Sequence, residues 1–373
     1  MDQHTVVLDR DGLSAVIATL AGDGYRVIGP VVRDGAIALG ELRSGDDLPA
    51  GWGVDVAPGK YRLRRREDEA VFGHSTGPQS WKQFLHPARR TLWKELEDGT
   101  LHAEADEDPP RYAFIGVRGC DLAAIRRLDR VLMSTAYPDG SYQRRRQSVF
   151  IVAVNCTEPG ETCFCASMGT GPEAGPGYDL ALTERIDESG HRFVVQVATL
   201  TGQWVINDVL HSNASDEEVA EAHAAVTEAA NKMGRAMPDV DLRDLIRDSR
   251  QSPLWQEIAQ RCMVCGSCTM VCPTCFCTTV EDATDLTGKR AERTQRWSSC
   301  FDIDFSYIHG GSLRSSPASR YRQWMSHKLG TWHDQFGESG CVGCGRCVAW
   351  CPAGIDITEE AARLAEGGAR AAD

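Results

Sequence analysis

The chain has 373 residues, 15 cysteines and a formal net charge of −13. This length suffices for two domains, and the apolar (42%) and charged (25%) fractions are those of globular proteins, which argues against a disordered chain. The negative charge argues against nucleic acid as a partner, because a phosphate backbone is bound through clustered Lys and Arg.

The sequence carries no evident targeting or membrane signal. Met1 to Arg10 has neither the basic segment nor the apolar segment of a signal peptide. No apolar run reaches the roughly 18 residues that a transmembrane helix needs. We therefore expect a cytoplasmic protein without a membrane partner, and in that reducing compartment many cysteines indicate metal binding more than disulfides.

The distribution of the cysteines predicts two domains, at residues 1–237 and 250–373. No cysteine precedes Cys120, four lie between Cys120 and Cys165, and the other eleven begin at Cys262. We expect an α+β or α/β N-terminal domain, followed by a mainly helical domain of the ferredoxin-like dicluster type.

Strand and helix patterns surround the first cysteines. The runs Tyr112–Val117 and Ser148–Val154 are rich in β-branched and aromatic residues and predict two strands, each leading into a cysteine-bearing turn. Between them, apolar residues at helical spacing predict a helix over Leu122–Met133, with Arg side chains on its other face.

A further helix is predicted to close the first domain. Ser215 and Glu218 match a capping box, and Val219–Met233 continues with Ala, Val and Met at helical spacing. A glycine and a proline follow as stop signals. The polar residues 239–252 would then link the two domains or form a short helix.

Two copies of one cysteine motif lie in the second region. Each has the spacing Cys-x2-Cys-x2-Cys-x3-Cys-Pro of bacterial ferredoxins, which bind [4Fe-4S] clusters. The two motifs consist of Cys262, Cys265, Cys268 and Cys272, and of Cys341, Cys344, Cys347 and Cys351. In such pairs the fourth cysteine commonly binds the other cluster. This exchange predicts one cluster at Cys262, Cys265, Cys268 and Cys351, and a second at Cys341, Cys344, Cys347 and Cys272.

Zinc is the alternative metal for these motifs, since paired Cys-x2-Cys units also form zinc sites. Zinc motifs rarely add a third cysteine at the same step and a Cys-Pro pair, twice over, so the spacing favours iron–sulfur clusters. Small residues in the loops, among them Gly266 and Gly343, would let backbone amides approach the cluster sulfides.

The four N-terminal cysteines make a complete set for a third [4Fe-4S] cluster. They are Cys120, Cys156, Cys163 and Cys165. Their Thr162-Cys-Phe-Cys165 element recurs as Thr274-Cys-Phe-Cys277, beside the first ferredoxin motif. Arg118 is placed to offset the charge of such a cluster. The alternative is a set of buried free thiols, because cysteine is among the most buried residue types.

Three cysteines are left over: Cys275, Cys277 and Cys300. They are either unligated thiols or ligands that recruit an oxygen or nitrogen atom, for example from Asp302 or His309. In another partition they group with Cys272 as the counterpart of the N-terminal set. The sequence leaves these alternatives open.

We predict no catalytic residues and no flavin or nucleotide site. The chain has no Walker A motif and no Gly-x-Gly-x-x-Gly after a predicted strand, and its Gly169-Thr-Gly171 run is interrupted by proline. His74, His86 and His309 are interpreted as structural or surface histidines. A basic set is interpreted as a solvated surface. Its members are Arg314, Arg320, Arg322 and Lys328.

Taken together, several motifs resemble one protein family. They are Gly77–Lys82, Gly116–Asp121, Asn155 with Cys156, Cys163–Cys165, Ser167–Pro172, Cys272–Cys277, Trp297–Cys300, Cys341–Cys347 and Ile355–Ile357. The chain resembles the beta subunit of cytoplasmic NADP-linked [NiFe] hydrogenases, or sulfhydrogenases, which is similar to the electron-transfer subunit of anaerobic sulfite reductase. One departure is Gly119, where the family often has proline.

The resemblance implies an electron relay without catalytic chemistry of its own. Its partners would be the subunits of a [NiFe] hydrogenase, together with a flavin and NAD(P)-binding oxidoreductase subunit. A relay to a sirohaem sulfite reductase subunit is the alternative within the same class. Hypotheses from other classes are a metal-stabilised binding module and a cluster-based sensor.

Overall fold

A computed structural model of the chain describes residues 4–96, 98–103, 108–188 and 190–371, with side chains up to residue 367. Residues 1–3 and 372–373, which the two predicted domain ranges include, lie outside this description. In these ranges the strands, numbered β1 to β16 in chain order, are Thr5–Leu8, Arg26–Arg33, Ala36–Glu41, Trp52–Ala57, Lys60–Arg65, Arg89–Glu95, Leu101–Ala103, Tyr112–Arg118, Phe150–Val154, Leu180–Asp187, Gly190–Val197, Ser212–Asn213, Thr278–Thr284, Ala291–Trp297, Tyr307–Ile308 and Gly311–Ser312. The helices, numbered α1 to α13, are Arg10–Gly22, Lys82–Leu85, Gly119–Leu132, Gly140–Gln147, Leu200–Asn207, Asp216–Asn231, Leu242–Asp248, Leu254–Arg261, Ser267–Met270, Pro317–Ser326, Trp332–Phe336, Arg346–Ala349 and Ile357–Ala371.

An eight-stranded mixed sheet forms the centre of the N-terminal region. Its strand order is β12-β1-β11-β10-β9-β8-β2-β3. The inner pairs β10–β9, β9–β8 and β8–β2 are parallel, and the outer pairs are antiparallel. Every residue of β9 is buried, as expected for a parallel strand covered on both faces. This mixed α/β arrangement agrees with the fold class predicted for the region.

The predicted elements around the first cysteines are present with shifted ends. The two predicted strands correspond to β8 and β9, and the predicted helix corresponds to α3, which begins directly after β8. The predicted closing helix is α6, and its capping box is formed. The Ser215 hydroxyl accepts from the Glu218 amide at 3.2 Å, and the Glu218 carboxylate accepts from the Ser215 amide at 2.9 Å. Within the predicted linker lies the short helix α7.

A four-stranded sheet joins the two predicted domains. Its strand order is β13-β14-β6-β7, so β6 and β7 from the N-terminal region extend a hairpin of the C-terminal region. Along the chain, helices α8 and α9 precede this hairpin and α10 to α13 follow it. The mainly helical character predicted for residues 250–373 therefore holds only in part. The sequence did not reveal the hairpin because both strands are polar, β13 being largely exposed and β14 largely half-buried.

A buried ion pair links the same two regions. Both Arg346 and Asp121 are 3% exposed, and the guanidinium donates to the two carboxylate oxygens at 2.7 and 3.0 Å. Arg346 also donates to the Gly77 carbonyl at 3.0 Å. A two-pronged pair with an additional acceptor is the arrangement in which a buried charge is best compensated.

Replacement of one member of this pair tests how strongly it holds the regions together. D121A should lower the free energy of unfolding by about 3–5 kcal/mol, because it leaves the Arg346 charge buried without its partner. Anaerobic urea denaturation followed by tryptophan fluorescence measures this loss. The matched control is D282A, which removes the exposed two-pronged partner of Arg293 and should leave the transition nearly unchanged. Equal stabilities of the two variants would contradict the assignment.

None of the helices in the described ranges combines the length and apolar character needed to cross a membrane.

Candidate metal centres

The first predicted cluster site is built around a loop between two short helices. Cys262 caps the end of α8, and the loop then turns at Gly266, whose φ of 71° favours glycine. Helix α9 follows at once and carries Cys268. The loop thereby turns three thiols of one motif towards a common space.

Together with Cys347 of the second motif, the four predicted ligands of the first site line one cavity. They are Cys262, Cys265, Cys268 and Cys351. Apolar side chains complete the wall, among them Phe301, Tyr321 and Trp324. Cys265 is exposed, whereas the other three are half-buried. The structure thus brings the fourth cysteine of the second motif to the first three of the first motif, in the exchanged arrangement predicted above.

The second predicted site lies deeper. Burial raises the pKa of the Cys341 and Cys344 thiols to about 12. Cys347 interacts electrostatically with both and with Cys272, so the fourth cysteine of the first motif also lies with its predicted group. Buried thiols with raised pKa values become thiolates only beside a compensating positive charge, which iron would supply.

The N-terminal cysteines converge where two parallel strands end. Cys120 lies in the first turn of α3 after β8, and Cys156 follows β9 after a single residue. The pKa of Cys120 is raised by the neighbouring Cys165 thiol and by burial, and that of Cys163 is raised by burial and by Cys120 and Cys156. All four predicted residues are therefore neighbours.

Arg118 lies against this set, as predicted. Its guanidinium donates to the Cys156 sulfur at 3.1 Å and to the Phe72 and His74 carbonyls at 2.6 and 2.9 Å. It is 3% exposed. Burial is offset by the nearby thiols, and the pKa of Arg118 is raised above its ordinary value. A permanently charged donor at this position suits an anionic group held by the cysteines.

The glycine-rich run around Gly171 covers the N-terminal set. A Cβ atom at Gly171 would lie 3.0 Å from the Cys165 sulfur and 3.5 Å from the Cys120 amide nitrogen. Thr170 donates from its hydroxyl to the Val342 carbonyl at 2.7 Å. As a sequence pattern the run is a weak candidate for a nucleotide loop. Its position, beginning four residues after Cys165, is the sequence signal for this covering role.

The N-terminal set and the second ferredoxin motif are in direct contact. The Phe164 amide donates to the Gly343 carbonyl at 2.8 Å, and a Cβ atom at Gly343 would lie 2.6 Å from the Cys165 Cα atom. The Cys344 thiol interacts electrostatically with Cys120. Only glycine permits this approach, so the loop of the second motif and the N-terminal turn are packed backbone to backbone.

Two lysines lie among the remaining cysteines. Lys82 donates to the Cys272 and Cys275 carbonyls at 3.2 and 2.8 Å, and Lys328 donates to the Thr274 hydroxyl at 2.6 Å. Lys328 is 2% exposed, so the prediction that it belongs to a solvated basic surface is wrong. The sequence pattern could not show this, because the compensating groups are cysteines distant along the chain.

The other residues singled out from the sequence lie outside the three predicted cysteine sets. His309 is exposed, and the Asp302 carboxylate accepts from the Ser299 amide at 3.2 Å. His74 and His86 are buried, and burial lowers the pKa of His74 to about 3, so its ring is neutral. Among the described residues, no three His, Cys, Asp or Glu side chains are arranged around the position of a single metal ion.

Comparison with known proteins bears on this geometry. Residues 261–355 match the family model described as a 4Fe-4S dicluster domain. The chain contains such a domain. It is also 29% identical to sulfhydrogenase 2 subunit beta of Pyrococcus furiosus over 345 residues, which are 92% of this chain and 93% of the relative. No solved structure matches the chain.

These matches confirm the resemblance to hydrogenase beta subunits that the sequence motifs predicted. They support an iron–sulfur, hydrogenase-related electron-transfer protein. The range of the dicluster match runs from before Cys262 to beyond Cys351 and so includes both ferredoxin motifs. The assignment of individual cysteines, and of the N-terminal set, stays a prediction.

Replacement of a ligand in the dicluster domain tests that assignment. C265S should reduce the iron content by about one to four atoms per chain, because a cubane either loses its exposed corner or is lost entirely. Iron and sulfide analysis after anaerobic reconstitution measures the change. S267A, which removes a hydroxyl 3.3 Å from the Cys265 sulfur, is the matched control and should keep the full content. Unchanged iron in C265S would contradict the ligand role.

Proposed function

We propose that the chain relays single electrons, in the cytoplasm, between the subunits of a [NiFe] hydrogenase and an oxidoreductase subunit that binds flavin and NAD(P). Iron–sulfur clusters held by the cysteine sets would supply one-electron chemistry. The proposal rests on the observation that the three cysteine sets, the N-terminal one and the two of ferredoxin type, lie next to one another in one protein. The N-terminal set adjoins the second ferredoxin set through Cys344, and the latter adjoins the first through Cys347 and Cys268.

The chain's own residues support a conducting role for this series. Apolar side chains such as Phe301, Tyr321 and Trp324 exclude water from the first site. Buried cations, Arg118 at one end and Lys328 near the middle, lie beside the cysteines and offset their negative charge. Fixed positive charge stabilises the reduced cluster, which is the more negative form, and offsets the cost of burying it, so that the cluster can accept an electron and pass it on.

Electrons would leave or enter beside Cys265, the exposed cysteine of the first set. Met263 and Met270 flank it with 67% and 37% exposure. Beyond Ser299, which packs against Gly266, the chain continues into a segment with exposed apolar side chains. These are Ile303, Phe305, Tyr307, Ile308 and Leu313. An exposed apolar surface around a cluster ligand is suited to docking of a redox subunit.

A hydrogenase is favoured over a sirohaem sulfite reductase as the complex to which the chain belongs. The relative that covers nearly the whole chain is named a sulfhydrogenase subunit. A hydrogenase and a sulfite reductase would require the same electron relay, so the arrangement of the cysteine sets is compatible with both.

Isolation from the native host tests the relay and its partners together. The chain should co-purify with flavin-containing and nickel-containing subunits, since it offers clusters but no flavin or nucleotide motif of its own. The complex should couple hydrogen oxidation to NADP reduction, and the isolated chain should not reduce NADP. Co-purification with a sirohaem protein instead would select the sulfite reductase alternative, and unaided NADP reduction by the monomer would overturn the relay.

The third cluster has its own test. The double variant C156A/C163A should contain about four iron atoms fewer per chain than the wild type, because one cubane is removed. Its two ferredoxin-type signals in the reduced EPR spectrum should persist, since those ligands are intact. The control T183A removes a hydroxyl that accepts from the side-chain amide of Asn155, the residue before Cys156, at 2.9 Å. This variant should keep its iron. Equal iron in wild type and double variant would return these cysteines to free thiols.

A further inference from the structure

Three cysteines lie outside the three sets and share one end of the four-stranded sheet. Cys277 immediately precedes β13, and Cys300 follows β14 after two residues. Because Thr278 pairs with Trp297 in this antiparallel hairpin, the two cysteines flank the same end. The Ser298 amide donates to the Cys277 carbonyl at 2.8 Å and extends the ladder between them.

Cys275 joins them through the turn before β13. The three thiols have one cation in common, since Lys328 lowers the pKa of each against the opposing effect of burial. Cys300 and Cys277 also interact electrostatically with each other. The Lys82 ammonium, which lies over the Trp297 ring, donates to the Cys275 carbonyl at 2.8 Å, so the three cysteines lie at one end of the sheet. The Cys275 thiol also bonds to that of Cys272.

His86 reaches the same end of the sheet from a third strand. It lies three residues before β6, which pairs with β14, and its carbonyl accepts from the Trp297 indole at 3.0 Å. Its ring lies beside the Phe276 backbone, between Cys275 and Cys277 in sequence. The residue is 2% exposed, and apart from a contact of one ring nitrogen with the Phe276 backbone the ring has no hydrogen-bond partner among the described residues. A ring nitrogen without a partner is costly to bury, and metal coordination would remove that cost.

Two buried ammonium groups add a requirement for negative charge. Lys82 and Lys328 are 3% and 2% exposed, and within the described ranges neither forms an ion pair with a carboxylate. Lys82 lies over the Trp297 ring, 3.8 Å from its centroid, and donates to the Cys275 carbonyl. Both lysines also lie beside Cys272 of the second ferredoxin set, Lys82 through its bond to the Cys272 carbonyl at 3.2 Å.

We propose that Cys275, Cys277 and Cys300, with His86 as the fourth ligand, hold an additional iron–sulfur cluster. The ligand class is a cubane of iron and sulfide, bound by three thiolates and one imidazole, and its formation releases the thiol protons to solvent. This site goes beyond the relay proposed above, which requires only the other twelve cysteines. It also explains why the Thr-Cys-Phe-Cys element of the N-terminal set recurs at Thr274–Cys277, with each copy supplying two thiols from one turn.

Iron counting on the full chain tests the proposal. The anaerobically reconstituted wild type should hold about 16 iron atoms, against about 12 for three cubanes, at four per cubane. The variants C275A/C277A and C300A should each lose about four, while the control S298A, in the same turn, should lose none. Unchanged iron in both variants would overturn the site, as would a wild-type count of about 12 from which the C156A/C163A variant loses about four, because the three cubanes are then those of the other sets. About one zinc per chain that disappears in C300A would equally overturn it.

Spectroscopy separates this site from the relay and identifies its fourth ligand. In C300A the EPR signals of the ferredoxin pair should remain, whereas a failed dicluster assignment would instead be seen as unchanged iron in C265S. H86A should change the Mössbauer or EPR parameters of one centre and leave the others as in the wild type. Identical spectra in H86A and wild type would overturn the imidazole ligand. If C275A/C277A does not fold, C300A and the wild-type count still decide the question.

Discussion

Compensation of buried charge is the constraint on which this structure depends. The chain has fifteen cysteines, all but Cys265 buried or half-buried, and each is a potential negative charge. Burial without compensation is costly, and it raises the pKa of several of these thiols, among them Cys163, Cys341 and Cys344. The chain places Arg118, Lys82 and Lys328 in the interior beside the sulfurs, with Arg346 near Cys344 and tied to Asp121. Each cation is held by carbonyls, a hydroxyl or a carboxylate, so that its position is fixed before any cluster binds.

The same cations tie the two regions of the chain together. Arg346 belongs to the second ferredoxin motif but bonds to Asp121 and the Gly77 carbonyl, while Lys82 belongs to the N-terminal region but bonds to carbonyls at Cys272 and Cys275. Each region thus supplies a buried cation that bonds to groups of the other region. Together with the pairing of β6 and β14, these bonds join the predicted ferredoxin-like domain to the N-terminal region.

The sequence predicted those features that depend on local spacing. Both ferredoxin motifs, the strands before Cys120 and Cys156, and the Ser215 capping box follow from patterns a few residues long. The burial of Lys328 and the contact between Gly343 and Cys165 did not follow, because they depend on groups more than fifty residues away.

The polar hairpin was missed for a related reason. Strands β13 and β14 have no alternation of buried and exposed residues that would predict them, and they are stabilised by pairing with β6 from the other region. Arg293 and Arg296 on β14 form exposed pairs with Asp282 and Glu281 on β13. Such pairs support a strand register but contribute little to stability, so tertiary pairing decides the structure here.

The two Thr-Cys-Phe-Cys turns contact the second ferredoxin motif at different points. In the first turn, a Cβ atom at Gly345 would lie 2.4 Å from the Thr162 carbonyl oxygen. In the second, the Thr274 hydroxyl donates to the Gly340 carbonyl at 2.7 Å. One turn therefore packs within the motif and the other just before it. Any centre held by either turn would be a neighbour of the second ferredoxin site, which makes that site the junction of the series and not one of its ends.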